Sequence, residues 1–292
     1  MNSVLLTMNL PKPSTLYIAT LTISLAAVCG CESPALPPTA DTNTPSTKAP
    51  AETPAAPGIQ NNTASLATAR GLLAEGRYKD SIKIAEELIK QEPANTTHQY
   101  LLGEAAFMAG EIETSVSAFD KLIEINPRME SSLWQRGLAL YYAGKFSEGV
   151  EQFTVHQSVN TQDVENAAWH LMCLSKEIGV EEARKQLILI QSDPRIPMKE
   201  IYRMFAGQLT PADVIEAAES AVVNVESERH QFLYYAHLYI GLFHEMMGDA
   251  DSSLASMREA VKINPLEKKF LMGQVANVHL ILREKKQTPA QQ

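Results

Sequence analysis

The sequence predicts an all-α protein, a right-handed superhelical solenoid of antiparallel helix pairs set behind an N-terminal stretch that does not fold. Three observations carry that prediction. One pattern is written twice, 34 residues apart, between Thr96 and Phe153: Gly103 recurs as Gly137, Gly110 as Gly144 and Phe119 as Phe153. Aromatic residues recur in the same register, Tyr100 as Trp134 and Phe107 as Tyr141, and the same step backwards joins Gly110 to Gly76 and Pro127 to Pro93. Between the punctuation, apolar residues fall at helical spacing, as in Ile82, Ile84, Ala85, Leu88 and Ile89, one buried face of a helix.

Each recurring position has a local physical reason. Gly103 and Gly137 are expected where two helices cross too closely for a side chain. Gly76, Gly110 and Gly144 fall just past each first helix, where the left-handed C′ position favours glycine. Pro93 and Pro127 follow each second helix, which cannot continue through them. A small residue early, a Gly at the turn, a Pro at the end and a period of 34 match the tetratricopeptide repeat, a helix–turn–helix unit.

The chain opens differently. In residues 1–31, Leu16 to Val28 is an uncharged, mostly apolar run of secretory length, too short to span a bilayer comfortably. It ends in Val28-Cys29-Gly30-Cys31, which resembles a bacterial lipobox. Cys31, preceded by the small Gly30, is the expected lipidation site; Cys29 and a plain secretory signal with incidental cysteines are the alternatives. Residues 32–62 are rich in Pro, Thr and Ala and too poor in large apolar groups to bury a core. They read as a disordered linker, either a tether that holds the folded domain off a membrane or a plain spacer.

Residues 63–286 form the predicted helical domain. The first repeat turns at Gly76-Arg77-Tyr78, the second runs from Thr96 to Pro127, and the third from Glu130 to about Val159, with Thr161 where a closing Pro is expected. Ala167–Ser175 and Val180–Ile190 read as a fourth, irregular pair. Asp193 to Val223 reads as a degenerate pair in which Thr210-Pro211-Ala212-Asp213 opens a helix as a capping box. Gly241, Gly248, Ala260 and Pro265 restore the repeat spacings. A last helix, Leu266 to Arg283, is expected to cap the stack with a polar outer face from Lys268, Lys269, Arg283 and their neighbours. Residues 287–292 read as a disordered tail.

Composition narrows the function. With 292 residues, 20% charged and 45% hydrophobic, the chain is an ordinary globular protein. A net charge of −9 and no Lys/Arg cluster argue against nucleic acid as a partner. No cofactor is implied. The seven histidines are scattered, and no catalytic or zinc-binding motif occurs, so the chain reads as a non-enzyme. His237 and His244, seven apart on one helix, are the best candidate for a metal and read better as polar-edged packing. Cys173, among Trp169, Leu171 and Leu174, reads as a buried thiol.

Binding is the better supported chemistry. By register, the first helices line the concave surface with Leu66, Arg70 and Leu73, then Tyr100, Glu104 and Phe107, then Trp134, Leu138 and Tyr141. Aromatics on a rigid groove give large contact area at small entropic loss, which suits peptide capture. Packing of the aromatics against neighbouring repeats is the alternative. The signal, the lipobox-like Cys31, Arg136-Gly137-Leu138-Ala139-Leu140-Tyr141-Tyr142-Ala143-Gly144, Phe205-Ala206-Gly207 and Tyr239 to Gly248 together resemble the bacterial tetratricopeptide-repeat lipoproteins, most of all the new-lipoprotein adaptors of the outer membrane. The resemblance implies a lipid-anchored, periplasm-facing, dimeric scaffold that brings a protease and peptidoglycan hydrolases together. An assembly lipoprotein or pilotin escorting an outer-membrane complex is the other reading.

Overall fold

Gly76, Gly110, Gly144 and Gly248 all adopt the left-handed conformation, with φ between +73° and +83°, and each ends the first helix of a pair. The computed structural model describes residues 65–266 and 268–287. The signal, Cys31, the linker and the tail beyond 287 lie outside the described residues. The first pairs are α1 (Leu66–Glu75) with α2 (Tyr78–Gln91), α3 (Thr96–Met108) with α4 (Ile112–Ile125), and α5 (Trp134–Ala143) with α6 (Phe146–Gln157). Ser65 caps α1 by accepting from the Thr68 amide, and Asn95 caps α3 through Thr97. A 3-10 turn, Pro127–Ser132, leads into α5.

Within each pair the crossing is set by volume exchange. A Cβ on Gly137 would lie 2.5 Å from the Phe153 ring and one on Gly103 2.6 Å from Phe119. The first repeat solves the same crossing with Ala69 and Ala85, both fully buried, and the last with Gly241 against Met257. A hydrogen bond repeats with the period as well: Ser81 Oγ donates to the Ala69 carbonyl at 3.0 Å and Ser115 Oγ to the Gly103 carbonyl at 2.8 Å.

The regular pattern then lapses, as expected, but differently in detail. α7 (Val164–Ile178) is a long helix buried up to its last turn, whereas its partner α8 (Val180–Arg184) has only five residues. The expected helix to Ile190 is absent. In its place an irregular strap is pinned to α7 by Arg195, which holds Asp163 and Asp193 at 2.6 Å and Glu165 at 2.5 Å. Tyr239 completes the cluster by donating to Glu165 at 2.7 Å. Burial pushes the Glu165 carboxyl up, with the Arg195 guanidinium opposing it. Asp193 lies below its ordinary value, because its bonds to Arg195 outweigh its burial. Side-chain pairing thus replaces a helical turn in holding this backbone, through a guanidinium fork that faces all three carboxylates.

The pair α9 (Met198–Phe205) and α10 (Pro211–Ser220) follows, the latter opened by the predicted Thr210–Asp213 capping box. α11 (Glu226–Met247) and α12 (Ala250–Ile263) restore the repeat. The expected helix over Leu266–Arg283 is shorter: a 3-10 turn, Leu271–Gln274, precedes α13 (Val275–Gln287). Nor is α13 a polar end cap. It packs on α12 and returns to α3, with Val275, Ala276, Val278 and His279 all fully buried. Among the described residues no helix is long and apolar enough to cross a membrane.

Candidate peptide-binding groove

The inner layer of the solenoid is built from the first helix of each pair, α1, α3, α5 and α7, each touching the next but one in sequence, with α11 against α7. This is the surface that the register assigned to ligand binding, and its far half is already occupied by the chain itself. His279 on α13 sits between Tyr142 Oη on α5 at 3.1 Å and Ser253 Oγ on α12 at 3.2 Å. Arg283 donates to Glu245 on α11 at 2.7 Å and lies over the Tyr142 ring, 5.4 Å from its centre. The connection before α13 reaches the first turn, where Tyr78 Oη donates to the Lys268 carbonyl at 3.1 Å. A cleft of about 390 Å³ lined by Tyr78, Met108, Gln274 and Ile281 remains beside that junction.

The electrostatics of this buried contact follow from burial. Burial lowers His279 from 6.5 to about 4, although Glu245 opposes the change. Burial alone would raise Glu245, but Arg283, His279 and Lys176 hold it below its ordinary value. The contact is therefore a neutral imidazole beside an Arg–carboxylate pair.

The nine predicted groove residues divide accordingly. Phe107 is 0% exposed, Leu138 and Tyr141 1%, and Leu73 4%, so these four are core and not lining. Tyr141 is enclosed by Tyr142, Phe146 and Trp169, with ring centres 5.3 to 5.7 Å away, and Phe107 meets Tyr142 edge-on at 6.0 Å. The aromatic lining is thus interrupted, because the second aromatic of each pair is turned into the core against Tyr142 and its neighbours. Leu66, Arg70, Tyr100, Glu104 and Trp134 remain accessible or half-buried, and they come from three successive inner helices at the opposite end.

That open end has its own polar chain. Gln135 Nε2 donates to Tyr100 Oη at 2.7 Å, and Tyr100 Oη donates to Glu104 Oε1 at 3.0 Å. Glu104 is partly accessible yet surrounded on most sides; burial pushes its carboxyl up to about 7, against the opposing pull of Tyr100 and then Arg70. Gln135 is 1% exposed and its Oε1 has no hydrogen-bond partner. The sequence reading missed Gln135, although a signal was there. Its repeat counterpart 34 residues earlier is Leu101, a core position where an amide is out of place.

The remaining candidates resolve simply. Cys173 is a buried thiol, packed where a Cβ on Gly149 would meet its Sγ at 2.7 Å. His244 faces Asp249 at 3.6 Å, and among the described residues no group of three or more His, Cys, Asp or Glu could hold a metal.

Comparison with known proteins recognises the repeat in part of the chain. Residues 66–130 match the family model of the tetratricopeptide repeat. The chain is 26% identical over 144 residues to the protein SGT1 homolog of Bos taurus, a match covering 48% of this chain and 42% of that protein; it therefore spans less than half the length of that curated relative. Among solved structures it is similar to MamA residues 41-end from Desulfovibrio magneticus RS-1, with 12% identity over 68% of this chain and 91% of that one at a TM-score of 0.41. It is also similar to TTC0263, a thermophilic TPR protein of Thermus thermophilus, with 15% identity over 74% and 97% at a TM-score of 0.39. The fold is a tetratricopeptide-repeat solenoid, an architecture that serves protein and peptide binding.

Proposed function

We propose that the protein is a lipid-anchored, periplasm-facing adaptor of the cell envelope, which captures partner proteins at the open end of its concave face. The observation that carries the binding role is the asymmetry of that face. Its far half is sealed by α13, while Leu66, Arg70, Tyr100, Glu104 and Trp134 stay reachable on three successive rigid helices. Half-exposed aromatics on a pre-formed surface lose little entropy on binding.

The anchoring part of the reading rests on the apolar run ending in Gly30-Cys31 and on the resemblance to outer-membrane adaptor lipoproteins. In that reading residues 32–62 tether the solenoid, and a protease and peptidoglycan hydrolases are the partners it brings together, with the adaptor working as a dimer.

Two measurements test it. Cys31→Ser should move the protein from the membrane to the soluble periplasmic fraction; unchanged membrane association refutes the anchor. Crosslinking and mass spectrometry from native membranes, comparing the unaltered chain with Tyr100→Ala and Trp134→Ala, should show envelope proteins lost from both variants. Retention of every partner by both places the binding surface elsewhere.

A further inference from the structure

We infer that the open end of the concave face holds a cationic side chain, lysine or arginine, of a bound partner segment, with Glu104 as its counter-ion. This rests on the reading of that face as a peptide groove and names the chemistry it selects.

Geometry is the first support. The Gln135–Tyr100–Glu104 chain, with links of 2.7 and 3.0 Å, fixes the carboxylate through one oxygen only. Among the described residues no further hydrogen bond reaches it. Arg70 on α1 is near enough to favour the charged form, yet it is exposed and makes no ion pair with Glu104 among the described residues. The carboxylate is thus aimed and unpaired.

Gln135 Oε1 is the second support. It is a buried acceptor with no donor, carried by a residue that also orients the tyrosine beside the carboxylate. The site therefore holds a carboxylate without an ion pair and a buried acceptor without a donor, and one ammonium or guanidinium supplies both the charge and the donors. Its alkyl stem needs an apolar or aromatic wall, and Tyr100 and Trp134, the latter next to Gln135 in the chain, stand at that end. An acidic segment would meet the same carboxylate unfavourably.

Burial of the carboxyl adds a pH signature. With Glu104 titrating near 7, and with Arg70 on α1, Tyr100 on α3 and Gln135 on α5 facing it, the ionised fraction falls about tenfold from pH 8 to pH 6.

The test selects random dodecapeptides displayed on phage against the full chain at pH 8, with Glu104→Gln selected in parallel. Peptides from the unaltered chain should share one Lys or Arg. As synthetic peptides they should lose tenfold or more in affinity when that residue becomes norleucine or when Glu104→Gln is the target. Their affinity for the unaltered chain should fall about tenfold between pH 8 and pH 6, whereas binding to Glu104→Gln should not change. Urea unfolding confirms that the variant is folded. The same peptides enriched on both proteins, a consensus without a cation, or no enrichment overturns the inference. Peptides that lack a cation but lose binding to Trp134→Ala leave the groove standing and remove only its cation. Peptides indifferent to Tyr100→Ala and Trp134→Ala remove the groove as well.

Discussion

Glu104 should make the native protein less stable than it could be, and the cost should depend on pH in a defined direction. Its carboxyl titrates at about 7 in the folded chain, against 4.5 ordinarily, because burial disfavours the charge. The folded state therefore binds the proton more tightly than the unfolded state. Between pH 4.5 and 7 the native protein holds more protons, so its stability falls as pH rises through that window. Below 4.5 the penalty is absent, and above 7 it is complete. A difference of this size corresponds to at most about 3 kcal/mol. The carboxylate is partly accessible, so solvent screening reduces the expectation to about 1–2 kcal/mol. Glutamine cannot ionise but can still accept from Tyr100. Urea unfolding of Glu104→Gln and the unaltered chain, followed by circular dichroism from pH 4.5 to 8.5, should show the variant drawing ahead with rising pH and levelling off above 7. A gap that is flat across that range, or an unaltered chain that is the more stable at pH 8, refutes the reasoning. Buried charge kept at the expense of stability is what a binding site requires.

Further predictions follow from the packing. His279 has the opposite sign: burial lowers it to about 4, so the stability lost to its charging is absent above 6.5 and grows as pH falls toward 4, up to about 3 kcal/mol. His279→Gln, measured against the unaltered chain over the same pH range, should remove that acid sensitivity, with Tyr142, Glu245, Ser253 and Arg283 as the groups facing it. Gly137→Leu should cost about 1–3 kcal/mol, since even a Cβ would stand 2.5 Å from Phe153; a melting temperature within a degree of the unaltered chain would contradict the crossing. Tyr141→Ala should cost about 3–5 kcal/mol as a core truncation, and Tyr100→Ala, at the accessible end, less than half as much by denaturant midpoint.

The regular repeats were legible because each depends on local chemistry: a glycine at a positive φ, a proline after a helix, a small residue opposite a large one. The buried half of the groove was not legible for the same reason. Phe107 and Tyr141 lie on the inner face by register, and register alone cannot say that Tyr142 and Trp169 close over them, with His279, 137 residues after Tyr142, packed behind. One clue did exist in α13. Val275, Ala276, Val278 and Leu280 place apolar or small residues on more than one side, as a helix enclosed by several neighbours must, but the charges from Arg283 onward suggested a solvated end. The strap after α8 hid differently, since Asp163, Glu165, Asp193 and Arg195 converge in space across 32 residues of sequence. The polar chain behind Glu104 was hidden for a similar reason, since it runs through Tyr100 to Gln135 on the next inner helix.

The return of α13 to the inner face also changes how the molecule should come apart. An open array of repeats melts from its ends, each unit held only by its neighbours. Here Tyr78 is tied to Lys268, 190 residues away, and Tyr142 to His279, 137 residues away, so early and late repeats are joined by contacts that an open array lacks. Hydrogen exchange should accordingly report α1 and α12 opening together with the middle of the chain, in one cooperative step, and cutting the chain between α12 and α13 should split that step into several.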